Sequence, residues 1–266
     1  MISFVYTSSP HIPGYAYRIK RNIFAVADGV SRIKTIDEKP CWVYDRLVKV
    51  PADIFCQKAV DLMIPIENPN KTSFLNAFRV ANEAIDKKNE EFGFKDDKDY
   101  FLHYLSTTAV LGYIKDQKLA LARICDCGAA ILRNESIFFK TPDYNIQKYD
   151  GKFGEMPEGF DGIRFFRRYI RNNSTLPKKM SDGVLTGQPS ALRFIDFYRR
   201  MLKPKDVVLL YSDGFEPYFN FEEFLRIFFE QGFEKAKRGL RKFSEKKAIE
   251  NSEKFGRERT LVAIKV

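Results

Sequence analysis

The chain has 266 residues, with 45 Lys and Arg against 35 Asp and Glu, and a formal net charge of +10. A hydrophobic share of 44%, with 25 Phe and 13 Tyr, supplies a packed core and excludes disorder. No apolar run approaches the ~18 residues that span a bilayer, and no export signal opens the chain, so a cytoplasmic protein outside the membrane is expected.

Strand patterns come first, over 1–6, 15–20 and 23–27, and the last of these ends in Asp28-Gly29. A helix over 52–63 follows, opened by Pro51 at a favourable first-turn position. A second begins near Ser73 and sets Phe74, Phe78, Ala81 and Ile85 on one face. The charged runs 87–91 and 95–98 read as solvated surface. A meander is expected over 106–114, 118–124, 128–132 and 136–140, with turns between. Residues 142–188 carry Pro, Gly and Asn without a clear period and read as a functional insertion or a poorly packed stretch. Helix and strand readings compete over 191–202. A buried strand over 207–211 ends in Ser212-Asp213-Gly214. Helices over 221–231 and 234–255 and a closing strand over 260–266 complete the chain. The two blocks of strands, with helices between and after them, predict one α+β domain over 1–266: two packed sheets covered by helices.

Scarce residues narrow the chemistry. Only two histidines occur, His11 and His103, so a three-His zinc site is excluded, and His103 reads as a packed side chain. Cys41, Cys56, Cys125 and Cys127 form no CxxC pair and read as reduced thiols. Polar chemistry therefore rests on carboxylates, and through them on hard metal ions. Two buried runs end in Asp-Gly, at Asp28 and at Asp213. A carboxylate projected from a buried strand is costly unless a positive charge meets it, and the glycine lets a ligand approach the backbone. Two such acids brought together suit Mg2+ or Mn2+. The plainer reading of Asp-Gly is a turn.

The order of motifs is more specific than any one of them. Ala27-Asp28-Gly29-Val30-Ser31, Ser106-Thr107-Thr108-Ala109, the stretch from Ile124 through Asp126 to Leu132, Gly183 to Gly187, Leu202-Lys203-Pro204-Lys205-Asp206 leading to Ser212-Asp213-Gly214-Phe215, and Arg259-Thr260-Leu261-Val262 follow one another along nearly the whole chain. In this order the sequence resembles the PPM group (type 2C) of metal-dependent serine/threonine protein phosphatases. The resemblance implies two antiparallel sheets sandwiched between helix layers, α-β-β-α, and a centre of two or three Mn2+ or Mg2+ ions that activates a water against phosphoserine or phosphothreonine on proteins. By position it implies that Asp28 and Asp213 are catalytic and metal-binding, with the Gly29 carbonyl and Asp126 as further ligands.

Departures from the family stand beside these matches. The acid-bearing triplet before the first Asp-Gly strand corresponds to Pro13-Gly14-Tyr15, which has no acid, and the family's last metal-binding Asp corresponds to Arg257. Either Glu258 replaces that acid, or Arg257 sets a positive charge where a metal would sit. In the second case the chain is a pseudophosphatase that binds a partner without turnover. The run from Ile163 to Ser181 carries Arg164, Arg167, Arg168, Arg171, Lys178 and Lys179 and no acid. By resemblance it is a flap beside the cleft, with Arg164, Arg167 and Arg168 as substrate-binding candidates for a phosphorylated protein; a solvated basic surface is the other reading. Nucleic acid rests on net charge alone and is not expected as a partner.

Overall fold

A computed structural model describes residues 1–9, 13–36, 39–43, 45–96, 100–142, 159–230 and 232–266. The chain starts with strands β1 (Ile2–Ser8), β2 (Tyr15–Lys20) and β3 (Ile23–Gly29), then a hairpin of β4 (Arg32–Ile36) and β5 (Lys39–Val43). Helix α1 (Lys49–Met63) begins three residues before the expected start; Pro51 sits in its first turn, where its missing N–H leaves no bond unmade. Helix α2 (Lys71–Glu91) is opened by Asn70. The Asn70 side chain accepts from the Ser73 amide and the Ser73 hydroxyl oxygen accepts from the Asn70 amide, so Ser73 is the third residue of the helix and not its start.

After the short α3 (Tyr100–His103), β6 (Thr107–Lys115), β7 (Lys118–Ile124), β8 (Gly128–Arg133) and β9 (Ser136–Lys140) follow at the expected places. They do not form one meander. Strand β7 pairs with β6 and β8 with β11 (Val207–Tyr211), so the chain crosses between two sheets at Cys125-Asp126-Cys127, where Cys125 adopts φ 63°. The first sheet has the order β10-β7-β6-β3-β2 and the second β1-β12-β11-β8-β9, with every neighbour antiparallel. Of the insertion 142–188, residues 143–158 lie outside the described residues; beyond them come α4 (Gly159–Phe165), a π-helical turn (Phe166–Ile170) and an extended stretch that bridges Leu185 to Thr107. The ambiguous 191–202 segment divides: Pro189–Phe194 is 3-10 helix, and β10 (Asp196–Met201) is an edge strand. Near the C-terminus, 3-10 helix runs over Asp213–Asn220, α5 is only Glu222–Ile227, and Asn251 separates α6 (Phe233–Glu250) from α7 (Ser252–Phe255). Strand β12 (Arg259–Lys265) closes the chain.

The alternation of side chains builds the layers. Phe24 and Val26 of β3 meet Val208, Leu210, Val262 and Ile264 of the other sheet in the central core. Ala25 and Ala27 face the other way, where small residues let Phe55, Phe74 and Phe78 of α1 and α2 close on the sheet. The outer face of the second sheet, with Leu209, Tyr211 and Leu261, packs on Phe215, Phe224, Leu240 and Phe243. The result is the α-β-β-α sandwich. One expectation fails inside it: Asn89, in the run read as solvated, is fully buried and ties α2 to the start of β6. Its Nδ2 donates to the Leu105 and Thr186 carbonyls at 3.1 and 3.0 Å, and its Oδ1 accepts the Leu105 amide at 2.7 Å.

Candidate active site

Four acids reach one end of the sandwich because four strand ends lie there. Asp28 is the penultimate residue of β3, opposite Tyr15 and Thr108. Asp126 stands in the crossover from β7 to β8, Asp213 follows β11 by two residues, and Glu258 precedes β12. With Gly29 they line one cavity of about 740 Å3. The two Asp-Gly glycines have a tighter duty than admitting a ligand. A Cβ on Gly29 would stand 1.8 Å from the Val48 carbonyl oxygen, and one on Gly214 would stand 2.0 Å from that of Glu258. In both places backbone, not ligand, fills the space beside the glycine.

The Asp28 carboxyl carries the electrostatic burden. Burial holds its pKa well above the usual carboxylate range, and the charges of Asp213, Glu258 and Asp126 add to this, with Arg257 as the opposing charge. No hydrogen bond reaches this carboxylate among the described residues. Burial and Asp126 push Asp213 up to about 6, against the pull of Arg257. Burial raises Asp126, with the nearby Thr108 hydroxyl and Arg171 charge pulling the other way. Beside it, burial raises the Cys125 and Cys127 thiols, so neither is a thiolate.

Two acids are already engaged. An Arg257 guanidinium nitrogen donates to Asp213 Oδ2 at 2.5 Å, so the positive charge foreseen at that position lies against the second Asp-Gly carboxylate. Glu258 Oε1 accepts the amides of Gly14 and Tyr15 at 2.6 and 2.8 Å. Glu258 thereby brings a carboxylate to the 13–15 stretch, which has no acid of its own.

Of the three arginines expected to bind substrate, Arg167 lines the cavity. Arg164 points outward beside Asp161, and Arg168 is exposed against Phe101 and Tyr169. Arg167 is largely buried; it donates to the carbonyls of Ser31 and Leu102 at 2.7 and 3.5 Å and lies over the Trp42 ring. Burial and the neighbouring Arg171 bring its pKa down to about 9. The cavity wall also contains Arg171, Trp42, Val48, Ile163 and Phe166, none of which was singled out as a site residue. Arg171 stood in the basic run, yet nothing in a run of arginines tells which one turns inward. His103 is half-buried and offers its carbonyl to Arg32, while His11 lies outside the described residues.

No protein-family model and no curated protein matches this sequence. Solved structures do. The catalytic domain of the serine/threonine protein phosphatase PstP, in complex with two manganese ions, superposes with a TM-score of 0.62 at 15% identity, covering 98% of this chain and 96% of that one. The PPM Ser-Thr phosphatase MsPP from Mycobacterium smegmatis, in complex with cacodylate, gives 0.61 at 14% identity, covering 100% and 98%. A bacterial serine phosphatase gives 0.64 at 16% identity, covering 99% and 96%. The chain has the fold of the PPM-type phosphatases.

Such identities speak for the fold, and the fit of a metal has to be judged on this chain's own donors. Among the described residues no three His, Cys, Asp or Glu side chains are grouped to hold an ion as they stand. The donor chemistry nevertheless suits one hard cation: oxygens only, centred on an Asp28 carboxylate that three acids surround and no hydrogen bond satisfies. Arg257 and the two amides on Glu258 take part of what a second ion would use. The residues therefore fit a divalent ion beside Asp28 better than they fit a pair. No helix among the described residues is long and apolar enough to cross a membrane.

Proposed function

We propose that the chain is a phosphoric monoester hydrolase acting on phosphoserine or phosphothreonine of proteins, working as one cytoplasmic domain over 1–266. Asp28, the Gly29 carbonyl, Asp126, Asp213 and Glu258 are the proposed donors to Mn2+ or Mg2+. The observation that carries this reading is the Asp28 carboxylate, crowded by three other acids in the lining of one cavity of a PPM-type fold. When bound, such an ion supplies hydroxide from water at neutral pH and neutralises charge gathering on the phosphoryl oxygens. The chain's own residues hold the rest. Asp28 and Asp213 form the acidic floor, the Thr107 hydroxyl holds the Asp28 carbonyl, and Arg167 adds positive charge to the wall. Trp42, Val48, Ile163 and Phe166 give that wall an apolar side against which the substrate chain can lie.

The second reading, a pseudophosphatase, is favoured by Arg257 on Asp213. Magnitude argues against it. The Arg257 side chain is 56% exposed, and an ion pair so open to water contributes about 1 kcal/mol or less. A divalent ion meeting several carboxylates gains more than this, so Arg257 is displaced and does not lock the site.

An aryl phosphate assay with Mn2+ tests the reading. Turnover that is lost in chelator and in Asp28→Asn supports it. Equal rates in chelator reject the metal mechanism. No turnover at any Mn2+ concentration, with the fold intact, leaves the pseudophosphatase.

A further inference from the structure

Arginines face the carboxylate cavity from three places, and two of them are committed. Arg257 is on Asp213, and Arg167 is bound to the carbonyls of Ser31 and Leu102. Arg171 differs. It forms a largely buried ion pair with Asp182 at 3.9 Å, too long for a hydrogen bond, and its Nε is buried with no hydrogen-bond partner among the described residues. The guanidinium rests over the Phe166 ring, 5.4 Å from its centre. Only 15% of the side chain is exposed, and the buried Nε is out of reach of water.

The backbone beneath this head is held firmly. The Arg171 amide closes the π-helical turn on the Phe166 carbonyl at 2.9 Å, and such turns gather at functional sites. Asn172 follows at φ 55°, its amide on the Asp182 carbonyl at 2.6 Å. Its carboxamide exchanges bonds with the amide and carbonyl of Val184, both at 3.0 Å, and reaches the Thr186 hydroxyl. A rigid root and a fork with no direct hydrogen bond to protein make the arrangement of an arginine that can take a planar or tetrahedral oxyanion.

We propose that Arg171 is the residue that grips the phosphate group of the substrate, its guanidinium donating two parallel hydrogen bonds to oxygens of a phosphomonoester held between it and the acidic floor. The inference rests on reading the cavity as a phosphoester site. It also gives an anionic substrate a reason to enter a cavity with four carboxylates: a bidentate charge-assisted contact from an arginine of the same cavity lining. The competing role for Arg171 is structural, as counter-charge to Asp182.

Inorganic phosphate is the probe, titrated calorimetrically into the full chain with Mn2+ present. Arg171→Ala is expected to weaken phosphate binding about tenfold or more, without weakening Mn2+ binding, and to raise the KM for an aryl phosphate in step. Arg171→Lys keeps the charge but not the fork, and is expected to fall between; it carries the test should the alanine variant not fold. Asp182→Asn, which frees Arg171 further and keeps the Oδ1 that accepts the Gly183 amide, is expected to bind phosphate as well as the native chain or better. Native affinity in both Arg171 variants overturns the inference, and so does a loss in Asp182→Asn equal to that in Arg171→Ala. A native chain that binds no phosphate, with or without Mn2+, overturns the phosphoester reading itself and takes the inference with it.

Discussion

Asp28 is surrounded by acids it cannot avoid, and the chain accepts that cost in its folded state. A neutral isostere removes the repulsion and the penalty of burying the charge. Asp28→Asn should therefore raise the melting temperature in chelator, by ~2–4 °C for each kcal/mol recovered in a chain of this size. In excess Mn2+ the order should reverse, because only the native chain gains binding energy. Scanning calorimetry in both conditions reads this directly; an Asp28→Asn variant that melts lower in chelator would show that the acid has a partner. Arg257→Asp exchanges a positive for a negative charge beside Asp213. Even screened, a two-unit change a few Å from an ion should tighten Mn2+ by ~1 kcal/mol or more, several-fold in affinity. Glu258 needs a gentler substitution than alanine. Glu258→Gln keeps an oxygen for the Gly14 and Tyr15 amides, so the melting temperature should hold while Mn2+ weakens. Equal Mn2+ affinity in Glu258→Gln would make Glu258 a purely structural clamp.

Strand ends and their connections decide which residues meet. The Asp-Gly pairs at the close of β3 and β11 were visible in the sequence because a buried apolar run followed by Asp-Gly is a local pattern. What the crossover does was not visible. A two-stranded turn and a passage between sheets both need a few residues with one unusual φ, and Cys125-Asp126-Cys127 satisfies either. Partner choice is settled by β11, some 80 positions later in the chain. Burial of polar residues was equally hidden. Asn89 lies among Lys, Asn and Glu on α2, but the last turns of that helix run beneath Leu105 and Thr186, whose three backbone groups require its amide. Asn89→Ala strands all three and should cost ~3 kcal/mol or more, read as a lower urea midpoint with an unchanged slope. A change below ~0.5 kcal/mol would show that water replaces the side chain.

At the scale of the whole molecule, the sandwich separates stability from chemistry. Three hydrophobic layers hold the two sheets and their helices together, and the acids stand at one end, beyond the layers. The motif order along the chain was enough to foresee this architecture, since each motif marks a strand end or a tight approach. The wall of the cavity was not foreseeable in the same way. It is built from the β4–β5 hairpin and the 159–171 segment, where Trp42, Phe166, Arg167 and Arg171 follow no short-range pattern. Whether this acidic end holds a divalent ion through Asp28 is decided by Mn2+ titration by calorimetry on the native chain and Asp28→Asn. Saturable Mn2+ binding to the native chain is expected, with a loss of at least about tenfold in affinity in the variant, both folded, since a ligand charge is removed. Equal Mn2+ affinity in the two proteins, or none in the native chain, would contradict it.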